Sequence, residues 1–118
     1  EDAGRDAARY LLESGTRFDA VFGGNDIMAV DCMAELREAP LAIGSEVLVV
    51  GFDDIPLARY VTPQLTTVHS DITRLGAAAA ELLFRMLAGE TPDAQDSLVI
   101  APTLAVRGST SGPFKSDK

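Results

Sequence analysis

Two short polar clusters in this sequence each follow an apolar run. Asn25-Asp26 comes after Ala20-Val21-Phe22 and a Gly-Gly pair, and Asp53-Asp54 comes after the apolar residues 47–50. A carboxylate offers two acceptor oxygens, and an amide offers one acceptor and two donors, which together match adjacent hydroxyls on a sugar or another polyol. Neither group is a nucleophile, so the clusters predict ligand binding rather than covalent catalysis.

Structural roles compete with ligand binding at each of these positions. Asn25 or Asp26 can cap a following helix, and this role is more expected for Asp26. Asp53 and Asp54 can form a solvated turn, and Asp54, beside a proline-containing segment, is the expected structural member of its pair. A further alternative is a Mg²⁺ site at Asp26, Asp53 and Asp54, although no fixed motif, P-loop or nucleophile accompanies them.

The remaining candidate groups argue against an enzyme. His69 is the single histidine, and no serine elbow, reactive-cysteine context or metal-spaced partner accompanies it. Cys32 is the single cysteine, which excludes an internal disulfide and a four-cysteine metal site. We therefore expect no catalytic residue, no cofactor and no metal.

Composition limits the partners of this chain. Its 118 residues, 47% apolar and 24% charged, fit one globular domain. The net charge of −8 argues against direct nucleic-acid binding, which needs clustered Lys and Arg. No apolar run approaches the ~20 residues of a membrane-spanning helix, and the start lacks a signal-peptide pattern. Because the first residues already have helical spacing, we expect a piece of a longer protein.

Apolar spacing predicts helices and strands in alternation. Helical spacing occurs at 2–14, 27–38 and 71–88. The runs that predict strands are 20–22, 47–50, 65–68, 98–100 and 104–106. This order predicts an α/β fold with a parallel sheet flanked by helices. Since ligands bind at the carboxyl ends of parallel strands, both polar clusters should share one edge of the sheet.

A set of short motifs runs in order along nearly the whole chain. They are Phe18-Asp19-Ala20-Val21-Phe22, Asn25-Asp26-Ile27-Met28-Ala29, Val49-Val50-Gly51-Phe52-Asp53-Asp54-Ile55-Pro56, Thr62-Pro63, Leu65-Thr66-Thr67-Val68, Leu75-Gly76, and Val106-Arg107 with Ser109-Thr110. Together they resemble the LacI/GalR family of bacterial transcriptional regulators. Periplasmic sugar-binding proteins are similar through the Asn-Asp and Gly-Phe-Asp segments alone.

The resemblance implies a cytoplasmic regulator with a helix-turn-helix head, absent from this chain, and a two-lobed effector domain of periplasmic-binding-protein (type I) fold. It assigns 1–68 to the C-terminal lobe, 69–103 to a mostly absent N-terminal lobe and 104–108 to a return strand. Residues 109–118 are polar and contain Gly and Pro, so we expect a flexible tail there. The apolar row of helix 71–88 would then lack its usual partners, so we expect it to pack differently on this chain or on another chain.

The same resemblance assigns site residues. Asn25 and Asp53 match positions that hydrogen-bond the effector, and Ser70 matches a position that is often an effector-binding glutamine. The dimer-forming surfaces of the family correspond to the helix at 27–38 and the segment 55–61, which assigns Met28, Cys32, Leu57 and Tyr60 to a homodimer interface. The implied partners are a sugar-like or other small polar effector, a second copy, and DNA through the missing head, with no membrane. The alternative is a periplasmic sugar-binding protein for transport.

Overall fold

The computed structural model describes residues 2–93 and 96–113. Helices and strands alternate in this part of the chain, which confirms the predicted α/β fold. The elements are α1 (Ala3–Glu13), β1 (Ala20–Phe22), α2 (Asp26–Glu38), β2 (Leu48–Phe52), a 3₁₀ turn (Pro56–Arg59), β3 (Thr66–His69), α3 (Ile72–Leu87) and β4 (Thr103–Ala105). None of the described helices is long and apolar enough to cross a bilayer.

The strands form one sheet in the order β1-β2-β3-β4. β1, β2 and β3 are parallel neighbours, with Val21 opposite Val49 and Gly51 opposite Thr67. β4 pairs antiparallel with β3. Because β1, β2 and β3 run in one direction, the loops that follow them leave the sheet at one edge, which we call the carboxyl edge.

The core lies where α1 and α2 pack with the sheet and the 3₁₀ turn. Its buried side chains are Ala8, Ala29, Cys32, Met33, Leu36, Val47, Val49, Ala58 and Leu65. Each large aliphatic side chain buried in this way contributes about 1.5–3 kcal/mol. A bidentate ion pair between Arg9 and the largely buried Glu35 joins α1 to α2, with N–O distances of 3.0 and 3.1 Å.

Ser109, the first residue of the predicted flexible tail, is instead fixed against the sheet by hydrogen bonds. The Ser109 side chain is fully buried; its Oγ accepts a hydrogen bond from Thr66 N at 2.8 Å and donates one to Val49 O at 2.6 Å. Ser109 O also accepts from Val49 N at 3.1 Å. Ser109 thus connects β2 to the start of β3. Residues 114–118 of the predicted tail lie outside the described residues.

The described chain divides into two compact units. One contains the residues up to His69 and those from Thr103 onward, and the other is Ser70–Pro102. The assignment of these units to the lobes of a larger protein stays a prediction. Residues 98–100 belong to the second unit and form no strand in the described structure, contrary to expectation, since only Thr103–Ala105 pairs with β3.

Helix α3 dominates the second unit. Asp71 caps it by accepting a hydrogen bond from Arg74 N at 2.9 Å. None of its residues is buried, and Ile72, Leu75 and Met86 are each about half exposed. The described residues of this chain therefore leave the apolar row of this 16-residue helix largely uncovered. The alternative, that the row packs on another chain, stays a prediction.

Candidate functional site

The structure places Asn25 and Asp53 at the carboxyl edge of two adjacent strands. β1 ends at Phe22 and β2 ends at Phe52, and the two strands are parallel neighbours with Phe22 opposite Val50. Asn25 follows β1 by three residues and Asp53 follows β2 directly. Both side chains are only partly buried. The shared edge that the strand pattern predicted is therefore present.

Asn25 is the N-cap of α2. Its Oδ1 accepts a hydrogen bond from Met28 N at 2.8 Å, which satisfies one of the free N–H groups of the first helical turn. The sequence favoured Asp26 for this role, and that expectation is wrong. The Asn25 Nδ2 group makes no hydrogen bond with the described part of the chain, so its two donors are available to a ligand.

Asp26 instead points into the protein and is fully buried. Its Oδ2 accepts from Ile55 N at 2.8 Å, and its Oδ1 accepts from Thr67 Oγ1 at 2.5 Å. A buried carboxylate needs such donors because desolvation disfavours its charge. Both oxygens are therefore already in use within the fold.

Asp53 lies on a turn with unusual backbone geometry. Its φ is 110° and that of Asp54 is 52°, in the left-handed region where Asp and Asn are enriched among non-glycine residues. Its backbone N–H continues the sheet ladder by donating to Val68 O at 2.9 Å. The Asp53 carboxylate itself makes no hydrogen bond with any described residue, and so it can accept from a ligand.

Asp54 is the structural member of its pair, as the sequence predicted. Its side chain is 5% exposed and accepts from Arg107 Nη2 at 2.6 Å, with His69 Nδ1 at 3.1 Å and Arg59 Nη2 at 3.5 Å. Burial acts to raise the pKa of this carboxyl, but the hydrogen bond from Arg107 and the charges of Arg107 and Arg59 outweigh it and lower the pKa below its ordinary value. The charged Asp54 side chain thus binds Arg107, which lies two residues after β4.

These contacts do not favour a Mg²⁺ site at Asp26, Asp53 and Asp54. Among the described residues, no group of three or more His, Cys, Asp and Glu side chains is arranged to hold a metal ion. Asp26 and Asp54 are engaged by protein donors, so Asp53 is the single carboxylate of the three with free acceptors in the described structure.

A groove in the described part of the chain lies at the opposite edge of the sheet from Asn25 and Asp53. It has a volume of about 420 Å³ and is lined by Leu12, Thr16, Arg17, Phe18, Asp19, Leu41, Glu46 and Val47. Most of these residues precede the strands rather than follow them. Ligands of open parallel sheets bind at the carboxyl ends of the strands, and this groove lies at the other end. We therefore place the candidate site at the free polar groups of the carboxyl edge.

Ser70 belongs to the second unit, whereas Asn25 and Asp53 belong to the first. The Ser70 backbone carbonyl accepts from Ile72 N at 2.8 Å at the start of α3. An effector contact from Ser70 stays a prediction.

The predicted dimer residues differ in accessibility. Tyr60 is 81% exposed, Leu57 is also exposed, and Met28 is half-buried. Cys32 is 4% exposed within the core, and burial raises the pKa of its thiol to about 11. A side chain buried in this way offers little surface to a second copy, and the assignment of Cys32 to a dimer interface stays a prediction. Ile27, beside Met28 at the start of α2, is a further apolar side chain that is 49% exposed.

Most of this chain is similar in sequence to known proteins. A family model described as a periplasmic binding protein-like domain matches residues 1–110. The ribose operon repressor of Escherichia coli (strain K12) is 41% identical over 108 residues, which are 92% of this chain and 32% of the repressor. The chain thus spans about a third of the length of that curated relative.

The fold of this chain is also similar to solved structures of transcriptional regulators. A LacI family transcriptional regulator from Arthrobacter sp. FB24 in complex with lactose matches with a TM-score of 0.82 and 32% identity, over 93% of this chain and 41% of that chain. The lac repressor dimer bound to operator and the anti-inducer ONPF matches with a TM-score of 0.83 and 27% identity, over 92% of this chain and 37% of that chain.

Proposed function

Since the chain belongs to the periplasmic binding protein-like domain family, in agreement with its LacI/GalR resemblance, we propose that it is part of the effector-binding and dimerisation region of a DNA-binding transcriptional regulator. The DNA contact would come from a different part of that protein, because this acidic chain carries a net charge of −8. Because a regulator of transcription must reach the DNA, we propose a cytoplasmic location for the whole protein. The similar proteins described above are regulators rather than enzymes or transport proteins, which disfavours the periplasmic alternative.

The observation that carries this proposal is a free amide donor group and a free carboxylate at one edge of the sheet. Asn25 contributes Nδ2 while its Oδ1 caps α2, and Asp53 contributes two acceptor oxygens. Such a pair suits neighbouring hydroxyls of a sugar-like effector. A hydrogen bond that involves the Asp53 charge is worth about 1.5–3 kcal/mol.

Two similar proteins support this class of effector by their names alone. The ribose operon repressor is named for a sugar operon, and the Arthrobacter regulator was crystallised with lactose. Ser70 would add a hydroxyl to the same effector. To convert a regulator from mostly one state to mostly another, the effector must bind the favoured state more tightly by about 5.5 kcal/mol.

The dimer contact would use the exposed apolar residues of α2 and the 3₁₀ turn. Leu57 is 39% exposed and Tyr60, which directly follows the turn, is 81% exposed; Ile27 joins Met28 in the candidate set. α2 packs against the 3₁₀ turn, which supports an interface formed by both elements. A two-fold symmetric interface would bury the same region of both copies. The lac repressor match is a dimer, which supports this arrangement.

The proposal is tested by calorimetry on the full-length regulator, with D-ribose and lactose as probes. Asn25→Asp keeps an oxygen to cap α2 but loses the Nδ2 donors, and Asp53→Asn loses the charge while tolerating a positive φ. We expect each variant to bind the recognised sugar about 10–100-fold more weakly, as the loss of one such hydrogen bond requires.

Asp19→Asn is the matched control, because Asp19 is exposed and lies at the other end of β1. It should change the affinity less than twofold. Wild-type affinity in both Asn25→Asp and Asp53→Asn would refute the assignment of the site.

A further inference from the structure

The buried Asp26 carboxylate joins three elements that meet at the carboxyl edge. It lies on the first residue of α2, next to Asn25. It accepts from Ile55 N, in the loop after β2, and from Thr67 Oγ1, on β3. Asn25 caps the helix and Asp26 is fully buried, so neither capping nor contact with a ligand accounts for this side chain.

The loop that Asp26 contacts is the one that carries Asp53. Asp53 and Asp54 are consecutive non-glycine residues with φ of 110° and 52°. Such conformations persist only where surrounding contacts hold them. The loop is held on both sides of this turn: Asp53 N donates to Val68 O at 2.9 Å, and Ile55 N donates to Asp26 Oδ2 at 2.8 Å.

Thr67 completes this arrangement through a single hydroxyl. Its Oγ1 donates to Asp26 Oδ1 and accepts from Asp54 N at 3.3 Å. The Thr67 side chain therefore fixes the carboxylate and the turn at once. Gly51 leaves the necessary space, since a Cβ at this position would lie 2.2 Å from Asp26 Oδ1.

We propose that Asp26, together with the Thr67 hydroxyl, is a positioning residue that holds the Asp53-Asp54 turn in its left-handed conformation and so presents the Asp53 carboxylate at the same edge as the Asn25 amide. The value of this placement for effector binding rests on the proposed function. The conformation of the turn itself does not, because it is a property of the chain without ligand.

The first test measures the turn in the ligand-free 118-residue chain by NMR. Thr67→Val removes the hydroxyl at nearly constant shape, and Thr67→Ser restores it. In Thr67→Val we expect the Ile55 amide to exchange with solvent at least tenfold faster, and the short intraresidue HN–Hα distance of Asp54 that marks positive φ to be lost. Thr67→Ser should retain both features. Asp26→Asn, which has one acceptor oxygen in place of two, should also accelerate Ile55 exchange.

A general structural role predicts a different result. In that case the amides of α1 would accelerate by the same factor as Ile55, whereas positioning predicts that they stay within threefold of wild type. Equal acceleration in both places, or an unchanged Ile55 amide in Thr67→Val and in Asp26→Asn, would overturn the proposal.

The second test measures D-ribose binding to the full-length regulator. Thr67→Val should weaken binding at least tenfold, and Thr67→Ser less than threefold. A loosened turn with unchanged ribose affinity would overturn the positioning role. If the wild-type regulator does not bind ribose, that result counts against ribose as the effector, and the exchange measurements alone decide whether Asp26 holds the turn.

Discussion

Arg107→Met should destabilise the chain strongly near neutral pH. Arg107 donates to Asp54 Oδ1 at 2.6 Å and to Leu65 O at 2.8 Å, and the Arg107 and Asp54 side chains are 13% and 5% exposed. Breaking a buried ion pair by removing one partner costs about 3–5 kcal/mol. Because His69 and Arg59 stay near the Asp54 carboxylate, we expect a loss of about 2–4 kcal/mol at pH 7.

The pH dependence gives this prediction its sharper form. In the wild-type chain the pKa of Asp54 is lowered, so the folded state binds this proton more weakly than the unfolded state. The stability from this group is therefore present above about pH 4 and is lost as the pH falls through the lower folded pKa. Arg107 supplies the largest of the contributions that lower this pKa, so without it the folded pKa of Asp54 lies closer to its ordinary value. The stabilisation that this group provides above about pH 4 is then smaller than in the wild-type chain.

The two stability curves should therefore converge in acid. Urea unfolding of both chains, followed by far-UV circular dichroism from pH 3 to pH 7, measures the difference directly. Arg59→Met is the control, because Arg59 lies 3.5 Å from Asp54 and its side chain is 62% exposed. It should cost less than about 1 kcal/mol. A cost for Arg107→Met that is the same at pH 3 and pH 7 would refute the charge-based account, as would an equal cost for both variants.

Two further substitutions test contacts in the first unit. Ser109→Ala leaves a buried backbone N–H and a buried carbonyl without their partner, so the free energy of unfolding should fall by about 2–4 kcal/mol. The control is Ser111→Ala, on an exposed side chain, which should change it by no more than about 0.5 kcal/mol. Equal urea midpoints for the two variants would contradict the role of the Ser109 hydroxyl. Gly51→Ala places a methyl group against Asp26 and should lower the free energy of unfolding by about 1–3 kcal/mol. Gly76→Ala, in α3 with open space around it, should raise the free energy of unfolding by about 0.5–1 kcal/mol. Thermal melts that do not separate these two variants would contradict the packing at Gly51.

The fold was predictable from the sequence where local signals determine it. The helical spacing at 2–14, 27–38 and 71–88 and the apolar runs at 20–22 and 47–50 all correspond to elements of the structure. These segments carry strong periodicity and end at glycine or proline, so few conformations compete with the observed ones.

The contacts of Ser109 could not be predicted in this way. Its hydroxyl bonds to residues 43 and 60 positions earlier in the chain, and its neighbours in sequence are polar, which is typical of a frayed end. No local pattern distinguishes a serine in a loose tail from one that fills a gap between two strands. The exposed apolar row of α3 shows the same limit, since spacing predicts an apolar face but not what covers it.

The site was predictable in position but only partly in role. The alternation of strands and helices places Asn25 and Asp53 at one edge of the sheet. Capping preference does not decide between two adjacent polar residues, because Asn and Asp cap helices about equally well. The family resemblance assigned Cys32 to the dimer interface, whereas the structure buries this side chain in the core. The resemblance could not indicate this burial, because it depends on how α1 packs against α2.

The two polar doublets divide their roles in the same manner. In each, one residue is bound into the protein, Asp26 by a threonine hydroxyl and a backbone amide, and Asp54 mainly by Arg107. The other residue, Asn25 or Asp53, keeps hydrogen-bonding groups that no described residue uses. Adjacent side chains leave the chain in different directions, so a doublet at a strand end can anchor the loop with one residue while the other faces solvent. A single polar residue at either position would have to serve as anchor or as ligand contact, and the second residue removes that conflict.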